Sequence, residues 1–346
     1  MLNISTKIPK VENLIFGGAT IGCLFREVDE DQAKSALEEA IRQGITYFDT
    51  APFYGAGLSE ERIGKYVSKK QDNGKSYDQT DIKISTKCGR VIKNKSEVTK
   101  QDRLEVTYSN EYKTGNIHPG VPVAIYTHEG ILESVRQSRK RLGCDYIDCL
   151  RLHDAEDEER FLEATAPGAA IDTMVDLRKK GEIGEVSLGL NESKYLLKFV
   201  QKYPVGTFDN IMMAGCWNLI DQDGYELMYE CQKRNIKVTN VGIFASGLLA
   251  GSNNYKYNSK IPIDVRYKLD KWHAICKKYK IDMLCLALHF AFLPDVVNYV
   301  AIGIRDAEKA RVNVELFKKC ESGVPLELWK EAQKLGLIRK DVDLFR

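Results

Sequence analysis

Short apolar or β-branched runs alternate with longer stretches of helical period along nearly the whole chain, and this alternation limits the fold more than any other feature. LIFGGATIG (14–22) reads as a strand, DQAKSALEEAIRQG (31–44) as an amphipathic helix closed by Gly44, and ITYFDT (45–50) as a strand again. Further strands are read at 81–87, 146–154, 183–190, 208–215, 236–243 and 298–303. Helices are read between and after them at 59–70, 129–143, 170–181, 193–203, 225–235, 269–280, 284–292 and 306–317. About eight β/α units in about 300 residues are the count and size of a (β/α)8 TIM barrel, an α/β fold with its chemistry on the C-terminal face. A doubly wound sheet is the alternative. Against it, GGATIG has glycines at 17, 18 and 22, the wrong spacing for a dinucleotide turn. The reading is one domain over 1–346, with the barrel core at about 14–317 and a helical tail at about 325–346. Residues 88–128 and 252–268 read as long polar loops on the C-terminal face, where such loops carry function.

Four polar residues close strand-like runs in the first half: Asp49, Tyr54, Lys87 and His153. Taken singly, each has an ordinary explanation, as a cap, a loop aromatic, a solvated lysine or a core histidine. Together they make a proton-handling set. A phenol titrates near ~10 and donates well to a carbonyl oxygen. A neighbouring ammonium such as Lys87 favours the phenolate, and a carboxylate such as Asp49 holds that lysine charged. His153 can orient a substrate oxygen. Such a set suits hydride transfer at a carbon bearing OH or C=O, where a cofactor carries the redox step and the protein moves one proton.

Composition excludes other classes. With 51 basic and 49 acidic residues the net charge is +2, so no global field argues for nucleic acid or an anionic membrane. Nine cysteines, an odd number with no CxxC pair, read as free thiols in a reducing compartment instead of a disulfide frame or a zinc site. His118, His128, His273 and His289 share no ligand spacing, so no metal is expected. The first residues hold no apolar signal core and no stretch is long enough to span a bilayer, which makes the cytoplasm the expected location.

FDTAPFYG (48–55) with SEERIG (59–64), STKCGR (85–90), LRLHD (150–154), SGLLAG (246–251) and VAIGIRDAEKARVNV (300–314) together resemble the aldo-keto reductase family. The resemblance implies a (β/α)8 barrel that binds extended NAD(P)(H), with the catalytic tetrad on Asp49, Tyr54, Lys87 and His153. The stretches AGCWNLIDQDG (214–224), GLN (189–191) and PLELWKEAQKLGLI (325–338) are similar to the group of D-threo-aldose 1-dehydrogenases. That group includes L-fucose, D-arabinose and L-galactose dehydrogenases and relatives acting on pyridoxal. The likeness implies oxidation of the C1 hydroxyl of an aldose to a lactone, with Tyr54 as base and Lys87 lowering its pKa. A general aldehyde or ketone reductase, or a nucleotide-binding regulatory subunit, are the alternatives within the superfamily.

For the cofactor, the resemblance implies Gly247, Leu248 and Gly251 over the pyrophosphate. It puts Arg305, Lys309 and Asn313 at the adenosine end, where the start of a helix suits an anion. Two family positions differ: Ala214 stands where many members keep glutamine, and NVGIFASG (240–247) lacks the tyrosine that stacks on nicotinamide. Asn191 is the candidate replacement for the first contact. Trp217 and Phe244 are the candidates for an aromatic wall beside the substrate. The substrate itself is expected to be a small sugar or aldehyde, with neither nucleic acid nor membrane as partner.

Overall fold

Eight parallel strands close into a barrel in the computed structural model, which describes residues 2–4, 7–68, 82–104, 112–114, 119–256 and 260–344. The strands are β1 (Leu14–Gly17), β2 (Tyr47–Asp49), β3 (Lys83–Cys88), β4 (Arg90–Lys93), β5 (Val121–Ala124), β6 (Ile147–His153), β7 (Ile183–Leu190), β8 (Asn210–Ala214), β9 (Lys237–Val241) and β10 (Val297–Gly303). Their order around the barrel is β1-β10-β9-β8-β7-β6-β3-β2, with β4 and β5 in a separate antiparallel pair. The expected (β/α)8 barrel is therefore the fold. The chain forms two compact units, one of residues 14–189 and 302–313, the other of residues 1–13, 190–301 and 314–346.

In the first unit the elements form where local chemistry asks for them. The helix Glu30–Arg42 starts at a reciprocal cap, in which Asp29 accepts from the Gln32 backbone and Gln32 reaches back to Asp29. Its buried positions Ala33, Ala36, Leu37 and Ala40 follow the three-and-four spacing of a single face. The run read as one strand over 14–22 stops at Gly17 and becomes a single 3-10 turn over Thr20–Gly22. Close backbone approach is the cause. A Cβ on Gly18 would lie 2.8 Å from the Asp49 carbonyl oxygen, and one on Gly22 would lie 2.8 Å from the Tyr54 carbonyl. Both glycines thus fit the chain against the segment that carries Asp49 and Tyr54.

Register decides which side chains meet. Asp49 pairs with Ser85, Ser85 with Cys149, Lys87 with Arg151, Arg151 with Ser187 and His153 with Gly189. Paired residues share a face and alternate residues share it along each strand, so the odd-numbered set Tyr47, Asp49, Ser85, Lys87, Arg151, His153 and Ser187 lies on one face. The even-numbered Phe48, Ile84, Leu150, Leu152, Val186 and Leu188 take the opposite face, and all are buried.

The second unit is held by packing. Trp217 is fully buried and stacks on Phe290 with ring centroids 4.9 Å apart and planes 16° apart. Phe290 meets Trp329 of the helix Leu326–Lys334 at 6.0 Å. Burial of one such phenylalanine contributes about 1.5–3 kcal/mol.

Three expectations are corrected here. The segment 88–128 is not plain loop, because β4 and β5 pair Arg90 with Ala124 and Ile92 with Pro122 inside it. The loop at 252–268 ends early: Pro262, with its fixed φ, precedes a helix that runs Ile263–Tyr279. Cys285 and Cys320 are joined in a disulfide, against the expectation of free thiols throughout; the other seven cysteines are free. Thirty-five residues separate the pair, and no spacing motif marks it. Residues 69–70 and 81, at the ends of a predicted helix and strand, lie outside the described residues, as does His118.

Candidate active site

Strand ends of the first unit bring Asp49, Lys87 and His153 together, and the turn after β2 adds Tyr54. Asp49, Lys87 and His153 are 3%, 2% and 6% exposed. The Lys87 ammonium donates to Asp49 Oδ2 at 2.6 Å and to the Thr50 carbonyl at 2.9 Å. It also stands 4.6 Å from the centre of the Tyr54 ring. The His153 ring meets Tyr54 edge to face at 5.9 Å. Tyr54 sits in a tight turn in which its N–H donates to Ala51 and its carbonyl accepts from Ser59.

Asp49 is satisfied on both oxygens. Oδ1 accepts from Ser85 at 2.7 Å and from the Arg151 Nε at 3.2 Å, while Oδ2 takes Lys87. Arg151 was not among the residues singled out from the sequence. Its signal is periodicity: in DCLRLHD it falls two residues before His153, on the face that carries the polar set. Tyr112 was missed as well. It stacks on Tyr54 at 6.2 Å and meets Phe53 edge-on at 5.4 Å, which places an aromatic from the long insertion beside the phenol.

The charge states follow from burial and neighbours. Burial penalises the Lys87 ammonium, but Asp49 and Tyr54 outweigh it, so its pKa is raised and it stays charged. Burial pushes the Tyr54 phenol up, Lys87 pulls it down without cancelling that effect, and Asp49 pushes up again. The net shift is upward, where the sequence led us to expect a lowered value: desolvation of a phenolate exceeds the pull of an ammonium already shared with a carboxylate. His153 is driven well below its ordinary value, first by burial and then by Lys87, Arg90 and Arg160. It is neutral at neutral pH. One ring nitrogen, Nε2, lies 3.4 Å from Asp154 Oδ2, and the other, Nδ1, is buried without a hydrogen-bond partner among the described residues. The backbone behind it is fixed, since the His153 carbonyl accepts from Arg90 at 2.9 Å and from Tyr126 at 2.7 Å.

The residues expected at a cofactor divide between the units. In the first, Arg305 is half-buried and donates to its neighbour Asp306, whose other oxygen accepts the Lys309 N–H at 2.8 Å. The carboxylate of Asp306 already caps this helix start, so the side chains of Arg305 and Lys309, more than its backbone, are left for an anion. Asn313 is 9% exposed, and its Nδ2 has no partner among the described residues. A buried unsatisfied amide one helical turn after Lys309 fits a polar adenosine group. In the second unit, Ala245, Ser246 and Gly247 all have positive φ (49°, 58° and 88°), and Gly251 has φ 86°. Leu248 is buried, Phe244 is half-buried, and Asn191 is exposed while its carbonyl accepts from Cys216. Trp217 does not serve as a wall. Its surface is wholly covered and its indole N–H donates to the Phe290 carbonyl at 3.1 Å.

Among the described residues no cluster of three or more His, Cys, Asp or Glu side chains is placed to hold a metal, and no helix is long and apolar enough to cross a membrane.

Comparison with known proteins adds the following. The sequence pattern of the aldo/keto reductase family matches residues 13–322. Pyridoxal 4-dehydrogenase of Microbacterium luteolum is 30% identical over 342 residues, covering 95% of each chain. D-threo-aldose 1-dehydrogenase of a Pseudomonas species is 30% identical over 334 residues, covering 93% of each. L-galactose dehydrogenase of Arabidopsis thaliana is 26% identical, covering 94% of this chain and 91% of its own. In fold, the chain is similar to an aldo-keto reductase of Bacillus halodurans solved in its holo form, with TM-score 0.69, 22% identity and coverage of 99% and 98%.

Proposed function

Since the chain belongs to the aldo/keto reductase family and is thus an oxidoreductase, we propose that it oxidises the C1 hydroxyl of an aldose to a lactone with NAD(P)+. The observation that carries the reading is the Tyr54 phenol set against a buried Lys87–Asp49 pair and beside a neutral His153. The nicotinamide, when bound, accepts a hydride from carbon; in the first unit Arg305, Lys309 and Asn313 would hold the adenosine end. The remaining work is proton transfer and orientation. Tyr54 takes the proton of the substrate hydroxyl, and Lys87 stabilises the phenolate that must form first. Asp49 keeps Lys87 charged and pointed. The neutral His153 ring, set edge to face against Tyr54, orients the substrate oxygen beside the phenol. Relatives acting on L-galactose and on D-threo-aldoses support a sugar as substrate.

A second reading rests on the aromatic surround of Phe53, Tyr54 and Tyr112, which suits a flat substrate, and on the pyridoxal dehydrogenase relative. One assay separates the two. Purified protein is supplied with NAD+ or NADP+ and L-fucose, D-arabinose, L-galactose or pyridoxal, and cofactor reduction is followed by absorbance. Reduction with a sugar and lactone as product is the expected result. Turnover of pyridoxal alone favours the second reading, and no reduction with any sugar sinks the first.

A further inference from the structure

Arg151 is, among the described residues, the one buried cation of β2, β3, β6 and β7 besides Lys87, and the proton chemistry above leaves it without a task. Its guanidinium is fully buried and donates to Asp49 Oδ1 at 3.2 Å, to Ser187 Oγ at 2.6 Å and to the Tyr47 hydroxyl at 3.1 Å. Asp49 therefore stands between two cations, Lys87 on one oxygen and Arg151 on the other. An ammonium and a guanidinium thus share one carboxylate inside the protein. Taking a guanidinium out of water is costly even when it is paired, and an apolar residue of similar size would fill the space at less expense. A guanidinium kept there at such cost calls for a function in the field it exerts.

We propose that Arg151 is a positioning residue for proton transfer: by sharing Asp49, it keeps that carboxylate from cancelling the Lys87 charge and so sets the pH at which Tyr54 releases its proton. The inference rests on the reading of Tyr54 as the proton-transferring group. Register enforces the geometry, because Lys87 and Arg151 are direct partners on β3 and β6, and Ser187 is the partner of Arg151 on β7. Tyr54 is faced by Lys87, Asp49, His153 and Asp154; of these, Asp49 and Asp154 oppose the phenolate and Lys87 favours it. Arg151 is faced by Asp49, Tyr47 and Cys149. Arg90 and Arg160 act on His153. Removal of Arg151 leaves the full Asp49 charge to Lys87 and to the field at Tyr54, and both changes disfavour the phenolate.

The test compares wild type, Arg151→Gln and Arg151→Lys in the pH profile of sugar oxidation with saturating NAD(P)+. In Arg151→Gln the Asp49–Lys87 pair remains, and thermal melting reports whether the variant folds. The rising limb of its profile is expected to move to higher pH by about one unit, with the alkaline plateau largely kept. Arg151→Lys restores most of the limb. A uniform loss at every pH with the limb unmoved overturns the proposal and leaves Arg151 a structural residue. A second readout needs no turnover: phenolate absorbance is titrated in each protein and in its Tyr54→Phe counterpart, and the difference isolates Tyr54. An upward move of that transition in Arg151→Gln supports the proposal even if the substrate is not a sugar, and an unmoved transition overturns it. Failure of the functional reading is distinct, since it appears as Tyr54→Phe turning over like wild type. If Arg151→Gln does not fold, the difference titration of Arg151→Met decides, because it fills the space without a charge: an unmoved transition overturns the proposal, and an upward move supports it.

Discussion

The strands of the first unit and those of the second solve the same packing problem in different ways. On one face of β2, β3, β6 and β7 polar groups recur at alternate positions, and they satisfy one another through Asp49, Ser85, Lys87, Arg151 and Ser187. In β8 the run Ile211, Met212 and Met213 is apolar and buried, and the buried polar groups of β8 and β9 are the uncharged Asn210, Thr239 and Asn240, of which the Asn240 amide donates to the Trp217 carbonyl at 2.9 Å. Buried charge is tolerable where register supplies partners, and where it does not, apolar and aromatic side chains fill the space. The contrast ties each region to its own vulnerability. Chemistry should fail first in the former and stability in the latter.

The sharpest test of that contrast removes one oxygen. Tyr54→Phe should lower turnover by about 10²- to 10⁴-fold with melting temperature close to wild type, as steady-state rates and calorimetry will show. Its counterpart in the second unit is Trp217→Ala, which opens a void against Phe290. A loss of about 3–5 kcal/mol in denaturant unfolding is expected, with the pH profile of the surviving activity unmoved. A moved profile would break the division between the regions.

Proton chemistry gives a smaller, directional effect. Burial raises the Tyr54 phenol, so oxidation, which needs the phenolate, should rise with pH through the alkaline range, and reduction, which needs the phenol, should fall. Rates climb at most about tenfold per pH unit below the transition. An effect on stability alone concerns thiols. Alkylation of denatured, unreduced protein should leave Cys285 and Cys320 unlabelled and modify the other seven cysteines, as mass spectrometry will count. Loss of that bond should lower stability by roughly 3–4 kcal/mol, in the second unit's packing and not in the tetrad's pH behaviour.

Much of the site was legible because the chemistry sits where runs end. Asp49, Lys87 and His153 close apolar strands, and a polar group at such a position is visible without knowing its neighbours. Arg151 was harder to see, since an arginine inside a strand reads as a surface charge until the partner strands are known. Trp217 misled for the opposite reason: an aromatic in a glycine-rich loop resembles a ligand wall, and only its complete burial and the N–H bond to Phe290 assign it to the core. The Cys285–Cys320 bond could not be seen in an odd set of scattered cysteines.

The sequence by itself determined the alternation of strands and helices, the barrel that follows from it and the four polar residues at or just after its strand ends. Those depend on local periodicity and on residue type. Tertiary structure alone decided how Asp49 divides its oxygens between Lys87 and Arg151, residues 38 and 102 positions away, and that burial raises the Tyr54 phenol in spite of Lys87. The physical reason is that register and desolvation are properties of neighbours in space, and a linear order of residues carries neither.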